Sequence, residues 1–414
     1  MFKNLFVKKK KNFFILLVTI IIGLFFFKNL ISERFPNLYL TKFLLKKKSK
    51  IENLNNDYNV KFLPDTQFLK LNYEKKKLKF NFDKEIQKNN LNLTQYGSKS
   101  NYFNFEIQNN ILWIVDVFGG IYTIDLKQMN KQKNLDLKKI ESNFNLNRTL
   151  DVFIHNNYLY ISYITYELNC KKINIDFANI KMEKLHFNKF FRTNECTDNV
   201  GGGRMQFYSH QNVDGLLLTT DNGSLQPSKE PQKDDSIYGK VLFIDFKNQK
   251  YFNFSKGHRN SQGLYATKDL ILSTEHGPKG GDEINRIIFK KNYGWPIASY
   301  GEGYDFKYES KPKYFKDHEK LKFEEPIFSF VPSIGISELI RLPNSFSDHF
   351  QDNFIISSLN DKSIYRVKFD KNYSKVIYIE KIFVGERIRD IKYYNNLILL
   401  ALEDTGSLGI ISKK

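Results

Sequence analysis

Cysteine is scarce in this chain, at 2 residues in 414, which excludes a disulfide-built scaffold and any cysteine-rich zinc or iron–sulfur module. Histidine is scarce too, at 7. The two in the most distinctive segment, His258 and His276, have no Cys or His partner nearby, so they read as structural groups rather than zinc ligands. Acidic residues are in deficit: 45 Asp and Glu against 64 Lys and Arg leave a net charge of +19. The features that would turn this charge into a nucleic-acid interface are missing: zinc-finger spacing, an RNP-like aromatic motif and a glycine-rich phosphate loop. The lysines are spread along the chain beside Asn, Ile, Phe and Tyr, all with A/T-rich codons. Composition therefore accounts for most of the excess, and no nucleic-acid partner is expected. Beyond the N-terminus no long segment carries a 3.6-residue apolar period, which argues against βαβ units.

Apolar material is plentiful, at 41% hydrophobic and 15% aromatic residues, enough for a large core. Length alone would suggest two or three domains of about 150 residues, but all-β barrels and propellers run longer as one unit. One apolar run stands apart. Phe13–Phe27 (FFILLVTIIIGLFFF) carries no charge and follows Lys8–Lys11 directly. Extended over residues 12–31 it reaches about 20 residues, enough to span a bilayer with Lys28 snorkelling outward. No A-x-A-like cleavage site follows, so the expectation is an uncleaved signal anchor rather than a signal peptide. The basic residues before it place 1–11 in the cytoplasm. The rest then lies outside it, as a single-pass inner-membrane protein facing the periplasm. Cys170 and Cys196 could pair there or remain two buried thiols.

Residues 32–100 are Lys/Asn-rich and weakly patterned, and read as a juxtamembrane stem leading into the first globular element; the globular part is expected over 101–412. There, short runs rich in Ile, Val, Tyr and Phe recur between turn residues, including Ile111–Val117, Tyr158–Ile164, Lys240–Asp245, Ser363–Phe369 and Asn396–Leu402. These read as strands of a large sandwich or a propeller. A paired-Asn phrase before a hydrophobic strand recurs at Asn109-Asn110, Asn156-Asn157 and Asn395-Asn396, and a tight turn repeated in this way is what propeller blades present.

The least random stretch runs from Gly257 to Tyr304: GHRNSQGL (257–264), EHGPKGGDEIN (275–285) and NYGWP (292–296). Arg259 offers a planar fork of donors suited to a carboxylate, and Asn260 adds an amide. Gly277, Pro278, Gly280 and Gly281 allow close backbone approach. Asp282 and Glu283 supply hard oxygens of the kind Ca²⁺ takes. The competing reading is a structural turn with a buried Arg–carboxylate pair. In GERIRDI (385–391), Arg387 and Arg389 project to one side of a strand with Ile388 on the other. They suit a small polyanion, or else are balanced by Glu386 and Asp390.

Together these segments resemble the glucose/sorbosone dehydrogenase family, the pyrroloquinoline-quinone-dependent soluble aldose sugar dehydrogenases. Weaker matches follow in order: Arg148–Val152 with His155, Gly201–Phe207 (GGGRMQF), Gln232–Asp245 and Val331–Ser337. The resemblance covers roughly residues 100–412 and implies an all-β fold, a six-bladed β-propeller, with the cofactor in a cleft at one end of its channel. It implies oxidation of an aldose at C1 by hydride transfer to the quinone, with a histidine as base. By position, Arg259, Asn260, Tyr304, Arg387 and Arg389 would bind the quinone. Glu283 and the carbonyl of Tyr293 would hold Ca²⁺, and the Gly277–Pro278 carbonyls resemble a cofactor-associated calcium site.

The chain departs from the family where the base should be. Val200 stands at that position, and valine accepts no proton; such assistance is typically worth about 10²–10⁴ in rate. No histidine lies between His186 and His210; Asp198 or a Ca²⁺-held hydroxide is the substitute the sequence offers. The family's early Gln-Gly-Gly-Leu-Leu becomes Leu146-Asn-Arg-Thr-Leu150, and Asn360 replaces a lysine that some members use on the cofactor. Two readings stand: a dehydrogenase with an altered base, or a propeller that kept its cleft for binding or assembly.

Overall fold

In a computed structural model the described residues are 61–63, 76–79, 102–128, 137–144, 148–167, 170–224, 227–304, 313–346 and 350–412. The expected anchor (12–31), the residues before it and most of the stem lie outside them. Among the described residues no helix is long and apolar enough to cross a membrane.

The recurrent paired-Asn phrase does what its chemistry dictates. Asn109-Asn110, Asn156-Asn157 and Asn395-Asn396 all take positive φ at both positions, as does Gln211-Asn212. Two consecutive left-handed residues make the tight turn whose twist matches a hairpin, and Asn tolerates that conformation. Each such turn joins the first two strands of one sheet, and six antiparallel sheets follow one another along the chain.

Blade one comprises Phe103–Gln108, Ile111–Asp116, Ile121–Asp125 and Lys138–Ile140. Blade two comprises Arg148–His155, Tyr158–Glu167, Cys170–Asn179 and Asn188–Phe191. Blade three runs from Gly202–His210 to Tyr251–Lys256, and blade four from Ser261–Ala266 to Phe328–Phe330. Blade five runs from Ile336–Arg341 to Val376–Phe383. Blade six has Ile388–Tyr394, Leu397–Leu402 and Ser407–Ser412. The first strand of each blade touches the first strand of the next, and blade six returns to blade one, so these strands ring the axis. The helices among the described residues are three short 3₁₀ turns. The architecture is therefore a six-bladed all-β propeller.

The sheets reach further back than residue 101. Lys76–Lys79 pairs antiparallel with Ser407–Ser412 at the outer edge of blade six, so a strand ahead of blade one shares a sheet with the last strand of the propeller. Lys61–Leu63 adds a parallel strand to Val376–Phe383 of blade five. A stretch read as stem from its Lys/Asn content thus supplies two outer strands.

Period-2 alternation gives each sheet two apolar faces, and among the described residues six wedges of core fill the six blade interfaces, beside a small cluster of Tyr102, Val117 and Phe118. Trp113, Val115 and Ile121 of blade one meet Val152, Leu159 and Ile161 of blade two. Leu272, Ile284 and Phe330 of blade four meet Ile336, Phe354 and Tyr365 of blade five. Each fully buried Leu, Ile or Phe contributes on the order of 1.5–3 kcal/mol, so the ring is rigid enough to position groups at its axis. Cys170 and Cys196 are joined in a disulfide. It ties the third strand of blade two to the loop that leads to Val200.

Candidate functional site

The innermost strands carry bulges at matching depth: between Thr149 and Asp151, Gly202 and Met205, Ser261 and Gly263, Ile336 and Leu339, and Ile388 and Ile391. A bulge re-aims the side chain beside it. Arg204, Asp151, Glu338 and Asp390 consequently meet deep inside the protein. Arg204 Nη1 lies 2.9 Å from Asp151, 3.1 Å from Glu338 and 3.7 Å from Asp390. Its Nε donates to the Gln262 carbonyl (2.7 Å) and its Nη2 to the Arg389 carbonyl (2.8 Å). Asp390 also accepts the Phe105 N–H at 3.1 Å, so one cluster links the inner strands of all six blades. Burial raises the carboxyl of Asp151 to about 6 and that of Glu338 to about 7, against the lowering pull of Arg204.

Toward the starts of the same strands the chemistry changes. Arg259 lies just before the inner strand of blade four. Its backbone N–H bonds the Glu275 carboxylate, its Nη1 donates to the His276 carbonyl at 2.9 Å, and its guanidinium lies 5.3 Å from the Trp295 ring. Arg259, Asn222, Pro227, Pro278, Trp295, Tyr304 and Tyr314 line a pocket open to solvent. Trp295 is held by its Nε1–H on Asn222 Oδ1 (3.0 Å). The cleft therefore brings together Arg259, Tyr304 and Pro278. Trp295, Tyr314 and Asn222 were not assigned from sequence. Trp295 stands within the distinctive NYGWP segment, while nothing in the sequence marks the other two.

A second cavity lies beside it, lined by Arg259, Glu275, His276, Gly277, Glu283 and Tyr293 among others. Burial, and then the Glu275 charge, push the Glu283 carboxyl well above its ordinary range. Asp282 serves the backbone instead: it accepts the N–H of Gly277 (3.0 Å), Ile334 (2.9 Å) and Ile336 (3.0 Å), fixing the glycine loop to blade five. The Tyr293 hydroxyl bonds the Arg286 carbonyl and accepts from Ile288, leaving its ring stacked on His258 at 4.6 Å. His258 is structural as read, bridging Ser255 (2.8 Å) and Glu275 (3.0 Å). Among the described residues no group of three or more His, Cys, Asp or Glu is placed to hold a metal.

Arg387 and Arg389 do share one side, but their carboxylate is neither Glu386 nor Asp390. Both grip Glu403, Arg387 through Nε at 3.1 Å and Arg389 through Nε and Nη2 at 3.0 and 2.6 Å. Glu386 accepts from Thr405 instead, and Asp390 belongs to the axial cluster. The two guanidiniums hold the buried Glu403 carboxyl below its usual range despite its burial. Arg389 also lies 5.0 Å over the Tyr102 ring, and its charge joins that of Arg259 in lowering the pKa of buried His276, after burial itself. Asn260 is turned toward blade three, where Oδ1 accepts the Gly202 N–H (3.1 Å) and a Gln262 N–H (2.7 Å).

Val200 is buried among Ile173, Met205, Ile237 and Tyr238. Asp198 is exposed, with Ser224 donating to it at 3.4 Å. The carboxyl on this wall is Asp221, which accepts from Asn199 (2.8 Å) and from the Gly223 N–H (3.1 Å). Gly201 separates it from Asn260: a Cβ there would stand 3.1 Å from Asp221 Oδ2 and 3.0 Å from Asn260 Oδ1. Burial raises the Asp221 carboxyl to about 7, against the N–H bonds of Gly223 and Gly201 and the charges of Arg259 and Arg148.

The sequence profile of the Glucose / Sorbosone dehydrogenase family matches residues 148–411. The chain belongs to that family. It is 29% identical over 232 residues to "Aldose sugar dehydrogenase YliI" of Escherichia coli, covering 51% of this chain and 59% of that protein. It is 39% identical over 90 residues to "Quinoprotein glucose dehydrogenase B" of Acinetobacter calcoaceticus, covering 18% of this chain and 19% of that one. The chain thus aligns with less than two thirds of either relative's length. Among solved structures, the PQQ-bound form of aldose sugar dehydrogenase from Streptomyces coelicolor is similar with a TM-score of 0.56 at 14% identity. That likeness covers 83% of this chain and 100% of the other, and it concerns the fold. The family's matched region begins at Arg148, the first residue of blade two.

Proposed function

We propose that this protein is a membrane-anchored, pyrroloquinoline-quinone-dependent aldose dehydrogenase. The observation that carries this reading is the aromatic-walled space that Arg259 lines, beside a His276 on which the charges of both Arg259 and Arg389 act, in a chain of this family. A flat tricarboxylate fits such a donor set: Trp295, Tyr304 and Tyr314 supply flat apolar faces, and the arginines supply carboxylate-matching N–H groups. Arg259, Arg387 and Arg389 would hold its carboxylates, and when bound it would accept the hydride from C1 of the sugar. A hard cation such as Ca²⁺ suits Glu283, whose carboxyl burial and the neighbouring Glu275 charge push well above its ordinary range, with the Gly277, Pro278 and Tyr293 carbonyls as further oxygens.

The C1 hydroxyl proton needs an acceptor that Val200 cannot be. We assign it to Asp221, whose raised carboxyl matches a base working near neutrality. Periplasmic placement through residues 12–31 is supported by the charge-free run after Lys8–Lys11 and by the disulfide, a bond favoured in oxidising compartments.

Full-length protein given PQQ and Ca²⁺ is expected to quench Trp295 fluorescence and to reduce dye in an aldose-dependent way. The rate should rise as pH passes about 7 and lose that limb in Asp221→Asn. Failure of PQQ to bind overturns the cofactor reading. Binding without turnover across an aldose panel would favour the second reading, a ligand-binding propeller, to which the buried Val200 lends support.

A further inference from the structure

The cleft lies where the inner strands begin, so the turns that follow those strands lie at the opposite end of the ring. The turn after each third strand meets them there. Ile180 N–H bonds the Asn157 carbonyl (3.0 Å), Phe246 the Asp214 carbonyl (3.2 Å) and Ile287 the Ile271 carbonyl (2.9 Å). Over blades two to four this end carries large apolar side chains that the core leaves outside. Met182 is 57% exposed and Val213 41%, and Tyr158, Tyr251, Phe252 and Ile288 are exposed as well. The aromatic ones run on from blade to blade. Tyr251 of blade three packs 5.2 Å from Phe191 of blade two, and Phe252 lies 5.9 Å from Phe289, the neighbour of Ile288. A single apolar side chain left in water is ordinary, whereas a row of them marks a surface that meets something.

The same end is basic. Lys181, Lys184, Lys247, Lys250, Lys268 and Lys290 stand exposed on blades two to four. A compositional excess of lysine would dress both ends of the ring alike, and it does not. Among the described residues, bases outnumber acids in the turns at this end, whereas acids outnumber bases in the loops around the cleft.

The chain also arrives from this side. Lys61–Leu63 runs parallel to Val376–Phe383, with Lys61 beside Tyr378 and Leu63 beside Glu380. That outer strand leaves the turn over residues 370–375 and runs toward the cleft, so residue 61 enters at the basic end. The apolar run over 12–31 precedes it in the sequence.

We propose that this end of the propeller docks on an anionic lipid bilayer, so that the cleft opens away from the lipid into the aqueous compartment. The apolar side chains enter the headgroup region while the lysines reach lipid phosphates, each lysine shifting the docked population by about fivefold. This rests on the anchored reading of the N-terminal run, which the test separates from it. Full-length protein is placed in nanodiscs of phosphatidylcholine, alone or mixed with phosphatidylglycerol, with spin-labelled headgroups as quencher. A fluorophore is attached through Met182→Cys at the basic end or through Asn360→Cys, exposed at the cleft end. Cys170 and Cys196 are joined, so the introduced thiol is the one that reacts. The Met182 label should be quenched in the anionic discs and recover as salt screens the lysines, while the Asn360 label stays bright. Lys247→Glu combined with Lys250→Glu should weaken docking by about 25-fold or more.

Equal quenching of the two labels would overturn the proposal, as would a Met182 signal indifferent to lipid charge and salt. A signal that follows protein concentration instead of lipid would mean that a second copy covers this end, and would overturn it too. If the protein does not enter the discs, the anchored reading falls, and sedimentation of the same protein with vesicles decides docking. The proposal stands if phosphatidylglycerol vesicles, and not phosphatidylcholine ones, carry it down, and falls otherwise.

Discussion

Two sets of arginines lie on the same axis a few residues apart, and they are opposites. Arg204 is 2% exposed, faces three carboxylates, and spends its remaining donors on the carbonyls of Gln262 and Arg389. Arg259 lines a space with aromatic walls, and Arg387 and Arg389 of blade six divide a single carboxylate between them. An arginine whose donors are satisfied from within is part of the frame. Guanidiniums that outnumber their carboxylates await a ligand. The two sets are mechanically joined, because Arg389 gives its carbonyl to Arg204 and its side chain to the cleft, and Gln262 does likewise. The ion cluster therefore fixes the height at which the cleft arginines stand.

The largest effect that can break this comparison is on Arg204. Replacing it with Met leaves Asp151, Glu338 and Asp390 buried without their central partner, and breaking such a network costs about 3–5 kcal/mol. Denaturant unfolding should show that loss, with PQQ affinity falling through the whole frame. If Arg204→Met were as stable as the wild type, the division into frame and ligand arginines would collapse.

This distinction is what the sequence could not convey. The segments holding Arg204 (GGGRMQF) and Arg389 (GERIRDI) are both short, glycine-flanked and arginine-bearing. Both inner strands carry a bulge at this point, so what separates the two arginines is the carboxylates that meet them: Asp151 and Glu338 from other blades for Arg204, Glu403 for Arg389. Glu403 was hidden for a related reason: it meets Arg387 and Arg389 across the hairpin to the return strand, and charges adjacent in sequence, Glu386 and Asp390, looked like the natural partners. The strands themselves were legible because their turns repeat: each paired Asn adopts the same left-handed geometry, and each following run alternates. Lys61–Leu63 and Lys76–Lys79 were not, since outer-edge strands need no apolar stripe of their own. Within the site, the loops of blade four were legible from glycines and charged residues at strand ends, but the role of Asp282 was not. A carboxylate that looks like a cation ligand in the sequence is used up on three backbone N–H groups.

A second, smaller effect sharpens the comparison from the ligand side. Arg259→Gln removes a charge that faces the cleft and stacks on Trp295, while its backbone bond to Glu275 remains. A charge-assisted hydrogen bond is worth about 1.5–3 kcal/mol, so PQQ affinity should weaken roughly 10- to 100-fold. The unfolding midpoint should barely move. A variant that lost stability in the manner of Arg204→Met, with affinity intact, would place Arg259 in the frame and leave the cleft with the blade-six pair.

The smallest effect distinguishes the two sets by pH. In the axial cluster Arg204 and Lys392 face Asp151, Glu338, Asp390 and Glu106, so the buried carboxyls outnumber the cations and protons must make up part of the difference. That is the physical sense of Asp151 standing at about 6 and Glu338 at about 7 in the folded protein. Unfolded, both return to the ordinary carboxyl range near 4. The folded state then binds more protons than the unfolded one across that window, and stability falls as pH rises. The contribution is complete below about pH 4 and lost once pH passes about 7, a decline on the order of 3 kcal/mol per group. Denaturant unfolding between pH 5 and 8 should show this slope, and Glu338→Gln, which keeps the shape and removes the titration, should flatten it. Glu403 should behave oppositely: Arg387 and Arg389 hold it low, so its contribution persists throughout the same range and fades only in acid. A slope that Glu338→Gln leaves untouched would mean that the axial carboxyls are fully ionised, and the frame would then carry the same kind of unbalanced charge as the cleft.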